Sequence, residues 1–175
     1  MERERKQNNI KDETMSFEVD IKASDLYEFM MYSNYVSIRG AVSVIFSIVC
    51  VIGTIIYWKE ITVVQRVIML FMASLFTVVA PLEYMVRAKK QASKNFSKTY
   101  IYTFNDSGIT IACGEEKSSL PWNQVMKVIS TKNLVVIYFT QIRAFILPKR
   151  IIGERFNELK KIMEENTSCY KFSMK

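Results

Sequence analysis

The sequence contains no histidine, and only three cysteines, three prolines and five glycines in 175 residues. The missing histidine removes Ser-His and Cys-His nucleophile pairs, HExxH metal sites and histidine phosphorelay together. Cys50, Cys113 and Cys169 show no CxxC-type spacing, so neither a disulfide framework nor a zinc site is expected. The glycines, at 40, 53, 108, 114 and 153, form neither GxGxxG nor GxxxxGK, which excludes nucleotide loops in their usual form; no metal and no cofactor is expected. The charged start MERERKQNNIKDE leads into no early apolar run with a small-residue cleavage site, so no cleavable signal peptide is expected. Nucleic acid is not expected as a partner either, since no aromatic stacking pattern or known module accompanies the positive charge.

Two long apolar runs dominate what is present. Gly40 to Trp58 has no charge, and Val67 to Val86 has Glu83 as its one ionisable group of the Asp, Glu, Lys or Arg kind. At about 1.5 Å per residue the first spans roughly 28 Å, close to the thickness of a bilayer's hydrocarbon core. A transmembrane hairpin over 40–86 follows, with Lys59 to Arg66 as its loop and both termini on one side. Residues 87–175 carry sixteen basic and seven acidic groups, whereas residues 1–39 carry six and eight. Arg87, Lys89, Lys90, Lys94 and Lys98 crowd behind the second run, and the positive-inside rule then places both termini in the cytoplasm of a multi-pass cell-membrane protein. Glu83, four residues before Arg87, is expected to form an interfacial ion pair. Small residues at Ser43, Ser47, Cys50 and Thr54, and at Ala73, Thr77 and Ala80, form stripes that serve either hairpin packing or a homo-oligomer seam. Tyr27, Tyr32, Tyr35, Tyr57 and Trp58 stand where interfacial aromatic anchors are expected.

The flanks predict an α+β protein. Residues 1–14 form a polar tail. Within 15–39, Ser16 to Ile21 alternates as a half-buried strand, and a helix follows, with Ser24 or Asp25 as N-cap and Glu28 completing a capping-box spacing. The strand has no neighbour in sequence, so it is expected to pair with strands beyond the hairpin. After the basic segment 87–98, six short strands are predicted between Tyr100 and Leu147 as a single antiparallel meander. Turns fall at Asn105-Asp106-Ser107-Gly108 and Gly114-Glu115-Glu116-Lys117, and strands at Ser118–Pro121, Val125–Ser130, Leu134–Thr140 and Arg143–Leu147. Ile152, Phe156, Leu159 and Met163 then fall at helical spacing and predict one amphipathic helix covering the sheet, with 167–175 as a tail. The expected architecture is a pleckstrin-homology-like half-barrel of antiparallel strands capped by a C-terminal helix, attached to a two-helix transmembrane hairpin.

The segments YTFNDSGI, Leu120-Pro121-Trp122 with Val125 and Val128 after it, and Leu147-Pro148-Lys149-Arg150 leading into a final helix carry a resemblance. Over roughly residues 15–165 the chain resembles the YcxB-like family of bacterial membrane proteins, with 99–166 as the C-terminal domain. That resemblance implies a membrane protein with a cytoplasmic domain, and it brings no catalytic residues.

The remaining constellations are weighed on their chemistry. Asp106-Ser107-Gly108 spells the aspartic-protease triplet, but Asn-Asp-Ser-Gly is sufficient as a hairpin turn. Trp122 is either a core aromatic at a sheet corner or the wall of a ligand groove. Lys149 and Arg150, at a strand-to-helix corner, either face solvent or complete an anion site at the helix N-terminus. Lys89, Lys90 and Lys94 either signal topology alone or bind anionic headgroups. The function expected is a non-catalytic membrane-anchored interaction module. It would bind a protein, peptide or anionic headgroup through Lys89, Lys90, Lys94, Lys149 and Arg150, in a setting such as envelope stress or antimicrobial-peptide protection. The alternatives are a small membrane-bound enzyme using Lys or carboxylate chemistry and a transport subunit.

Overall fold

The computed structural model describes residues 14–95, 98–169 and 171–174, leaving aside the side chains at 38, 39 and 95. Most of the expected 1–14 tail therefore lies outside the described residues. The chain divides into two units: one formed by the residues up to Ile21 together with those after Asn95, the other by Lys22–Asn95. The helical unit is thus inserted between two strands of the other.

In the strand unit, β1 (Met15–Val19) pairs antiparallel with β2 (Tyr100–Asn105), Phe17 opposite Tyr102. The orphan strand finds its partner across the helical insertion, as its alternation requires: Met15, Phe17 and Val19 are buried while Ser16 and Glu18 are exposed. β3 (Gly108–Cys113) and β4 (Glu116–Pro121) complete a sheet in the order β1-β2-β3-β4. The turn between β2 and β3 is held by Asn105, whose Oδ1 accepts from the N–H groups of Ser107 and Gly108. Gly108 is required there because a Cβ would lie 2.3 Å from the Leu120 carbonyl oxygen.

The single six-strand meander is corrected to two sheets. β5 (Lys127–Ser130), β6 (Leu134–Tyr138) and β7 (Ala144–Pro148) form a second sheet with β8 (Lys171–Ser173), in the order β7-β6-β5-β8. The break falls after Pro121, where Trp122–Gln124 makes a 3-10 turn closed by the Val125 N–H on the Trp122 carbonyl. Val125 is buried, which mimics strand alternation in sequence, yet its backbone still belongs to that turn. β8 arises inside the segment expected as a tail and pairs parallel with β5, the one parallel pair among the described residues.

The C-terminal helix is also divided. α5 (Lys149–Ile152) ends at Gly153, whose φ of +55° stops the helix, and α6 (Phe156–Asn166) resumes after a 3-10 turn. Four longer helices lie earlier in the chain, in the helical unit. Ile152, Leu159, Ile162 and Met163 are buried, so the predicted apolar stripe survives the interruption.

In the helical unit, α1 (Ala23–Tyr35) has Lys22 as N-cap, and Asp25 stands at N3, its carboxylate accepting from the Lys22 N–H at 2.8 Å. Asp25 is therefore the reaching-back member of the cap, one turn away from the place read from sequence. α2 (Ile38–Ile56) follows after a tight bend in which Ser37 caps the helix by accepting from Gly40 N–H. The loop to α3 (Val63–Ser74) is shorter than expected, because Thr62 and Gln65 form a capping box that starts the helix at Val63. Five residues of π-helix, Leu75–Val79, then lead into α4 (Ala80–Asn95).

Proline explains that π turn. Pro81 has no N–H, and its ring would crowd the carbonyl of Thr77 in a regular helix, so widening the turn relieves the clash. Ala80 N–H already reaches back five residues to Leu75. The next donor in that register would be Pro81, toward Phe76, and the Tyr35 hydroxyl supplies the missing bond to the Phe76 carbonyl at 2.9 Å.

The two small-residue stripes meet within the chain at Ser47 and Ala73, while Thr77 stays exposed. Ser47, Cys50, Thr54 and Ala73 are buried, and Ser47 Oγ donates to the carbonyls of Ser43 and, across to α3, Ala73. Thr54 and Thr77 return their hydroxyls to Cys50 and Ala73 of their own helices. The outward faces are apolar. Among the described residues, every exposed large hydrophobic residue except Ile101, Met126 and Ile142 lies between Val36 and Val86. Among the described residues one helix, Val63–Lys94, is long and apolar enough to cross a membrane, and only 6% of its most apolar window is buried in the protein. A second passes the same test only as the pair Ala23–Tyr35 and Gly40–Ile56, bent by 75°.

Candidate functional site

The basic residues singled out from sequence fall on both units. On α4, Ala88 is buried and Tyr84 and Ala92, one turn either side, are half-buried, so the helix packs through an i, i+4, i+8 stripe. Arg87, Lys90 and Lys94, at i, i+3 and i+7, occupy the opposite face, and Lys89 flanks them. Lys89, Lys90 and Lys94 are all exposed. Glu83 pairs with Arg87 at 2.5 Å, both side chains more than half exposed, as the i, i+4 spacing leads one to expect. The pair neutralises Arg87 and leaves three exposed lysines as the net charge of that face.

On the strand unit, Lys149 and Arg150 open α5. Lys149 donates its backbone N–H to the Asn133 carbonyl at 2.8 Å and places Nζ 5.2 Å from the centre of the Phe156 ring. Arg150 donates from a guanidinium nitrogen to the Asp20 carbonyl at 2.6 Å. Arg155, one turn on, stands 5.5 Å over the Phe17 ring and pairs with Glu158. Arg150 and Arg155 therefore hold the β1 segment against the start of the C-terminal helices. This is a contact that spacing cannot reveal, because 130 residues separate Arg150 from Asp20.

Trp122 is buried, its ring stacked on Phe104 with centroids 6.5 Å apart and its indole N–H donated to the Asn105 carbonyl at 2.8 Å. It packs as a core aromatic. The Asp106-Ser107-Gly108 triplet is the β2–β3 hairpin turn.

Shifted titrating groups lie elsewhere in the strand unit. Burial pushes the Tyr102 phenol well above its ordinary range, with Tyr100 adding to the effect. Burial likewise raises Tyr100, with help from neighbouring Cys113 and Glu116. Lys127 is lowered, first by burial and then by the charge of Lys171. Lys127 adds to the basic balance read from sequence, but its place beside Lys171 depends on a strand inside the expected tail. Among the described residues no group of His, Cys, Asp and Glu is arranged to hold a metal ion.

At the other end of the helical unit, the Arg66 guanidinium lies 4.5 Å over the Trp58 ring and donates to the carbonyls of Trp58 and Ile61. One side chain thus ties the short turn to the first turn of α3. Tyr57 and Trp58 are half exposed beside it, where interfacial aromatics are expected.

Comparison with known proteins bears on the strand unit alone. The family model described as YcxB-like protein matches residues 104–163, from the end of β2 into α6. The resemblance noted on Leu120-Pro121-Trp122 and Leu147-Pro148-Lys149-Arg150 is supported over that segment. No curated protein and no solved structure matches the chain.

Proposed function

We propose that the chain is a membrane-anchored, non-catalytic interaction module, with both long flanks at the cytoplasmic face of a bacterial cell membrane. One observation carries this proposal: the apolar surface of Val63–Lys94, only 6% of whose most apolar window is buried, is left largely uncovered among the described residues. A core helix of a soluble domain would bury that surface, whereas lipid satisfies it. Thirty-two residues extend about 48 Å, and a bilayer core takes up about 30 Å. The polar excess falls at the C-terminal end, where Arg87 to Lys94 would emerge into the headgroups. In this proposal α2 returns through the membrane, and the strand unit is a pleckstrin-homology-like half-barrel capped by α6.

The partner proposed is an anionic headgroup, recognised by Lys89, Lys90 and Lys94 of the helical unit, with Lys149 of the strand unit as a separate contact with the lipid surface. Each lysine near such a surface contributes about 1 kcal/mol at most, reduced by salt. Lipid and protein partners are distinguished by what accompanies the full chain through purification in mild detergent. Anionic lipid should be enriched over neutral lipid, and Gln at 89, 90 and 94 should remove the enrichment. Equal retention of both lipids, with a specific second protein present, would replace the headgroup by a protein partner.

A further inference from the structure

We propose that Lys127 and Lys171 form a binding site for a compact, multiply charged oxyanion of the phosphate class, and that this anion clips β8 onto the second sheet. Lys127 is in register with Lys171 on its parallel neighbour and with Tyr138 on its antiparallel one. The three residues therefore lie in one row and project from one face. Lys127 Nζ stands 5.2 Å from the Tyr138 ring centre. Like charges directly opposite one another destabilise a strand pair. Nothing in the sheet offsets them: β5, β6, β7 and β8 read KVIS, LVVIY, AFILP and KFS, without one acidic residue. Among the described residues neither lysine makes an ion pair.

β8 is only three residues long and pairs with β5 alone, so it is the element of this sheet most sensitive to that repulsion. Two ammonium groups on strands about 4.8 Å apart suit an anion with several oxygens and more than one charge better than a halide. Partial burial of Lys127 strengthens the attraction by weakening solvent screening. The bound anion would turn a repelling pair into a bridge, so that β8 docks when the anion is present and loosens when it is not. The site is separate from the α4 lysines and does not require a membrane.

Hydrogen exchange of the β8 amides tests it, using the full chain in neutral detergent with phosphate or chloride at matched ionic strength. A parallel arm uses nanodiscs of phosphatidic acid or phosphatidylcholine in buffer without inorganic phosphate. Phosphate, or phosphatidic acid if the source is a headgroup, should slow β8 exchange about two- to fivefold, the range set by a cross-strand like-charge term. Lys171→Gln, at an exposed position, should slow exchange without any anion and abolish the response. The proposal is overturned if neither anion changes β8 exchange, if Lys171→Gln responds as the unaltered chain does, or if that variant fails to slow exchange when no anion is present.

Discussion

Replacing Arg150 with alanine should loosen β1 while leaving the rest of the strand unit folded. The guanidinium donates to the Asp20 carbonyl at 2.6 Å, just beyond the end of β1. A hydrogen bond from a charged group is worth up to about 3 kcal/mol, but this side chain is exposed and water competes, so about 1 kcal/mol is the reasonable share. Arg155 over Phe17 adds about 0.5–1 kcal/mol as a cation–π contact. Both are small beside what else holds the strand: five registered pairs with β2 and the burial of Met15, Phe17 and Val19. Losing about 1 kcal/mol corresponds to roughly fivefold more frequent local opening. Hydrogen exchange across residues 15–19 should therefore accelerate about fivefold in Arg150→Ala, and further in the double variant with Arg155→Ala. Lys149→Gln serves as the control, since its backbone bond to Asn133 remains. Unchanged β1 exchange in Arg150→Ala would refute the latch. The latch has a practical consequence, because lost lipid binding in Arg150→Ala would mix a missing charge with a loosened strand, whereas Lys149→Gln leaves the Arg150–Asp20 bond in place.

Stability of the strand unit should fall as pH rises above about 10. Tyr102 is raised by burial from its ordinary value of 10.0, so its contribution is fully present below that pH and is lost as pH climbs through the folded value. The slope reaches about 1.4 kcal/mol per pH unit, Tyr100 acts in the same direction, and Tyr102→Phe should flatten the alkaline limb in thermal unfolding. Lys127 opposes this, because its lowered value makes stability rise with pH just below its ordinary 10.5; a Tyr102→Phe profile identical to that of the unaltered chain would contradict the assignment. Gly40→Ala should destabilise the α1–α2 bend by about 1–3 kcal/mol, as overpacking does. An added Cβ would lie 2.1 Å from the Asn34 carbonyl oxygen and 2.7 Å from the Tyr35 Cα, both backbone atoms that cannot step aside, so an unchanged unfolding midpoint in detergent would rule out that close approach.

What could be read from sequence was whatever depends on local periodicity. Strand alternation at Phe17 and Val19 foretold both the strand and its need for a distant partner, which is β2. The helical stripe of Ile152, Leu159 and Met163, the Asn-Asp-Ser-Gly turn and the Glu83–Arg87 pair are equally local. What escaped depends on backbone geometry or on residues far apart. Gly153 interrupts the final helix without disturbing its apolar phase, and Pro121 redirects the chain although Val125 keeps an alternating pattern. The π turn at Leu75–Val79 changes hydrogen-bond register without altering composition. β8 has too few residues to show a period at all. Of the basic residues the sequence points to, the lysines of α4 share an exposed helical face, but Arg150 is engaged with Asp20, and the Lys127–Lys171 row depends on a strand register that no local pattern encodes.

The most direct test of membrane crossing with both flanks inside compares two cysteines in a chain whose other cysteines are replaced. One is native Cys169; the other is introduced by Glu60→Cys in the exposed turn between α2 and α3. A membrane-impermeant thiol reagent applied to intact cells should label position 60 and leave Cys169 unlabelled until the cells are permeabilised. Protection of both positions in intact cells, or labelling of Cys169 with exclusion of the reagent verified on a known cytoplasmic thiol, would contradict a hairpin that crosses the bilayer with its flanks in the cytoplasm.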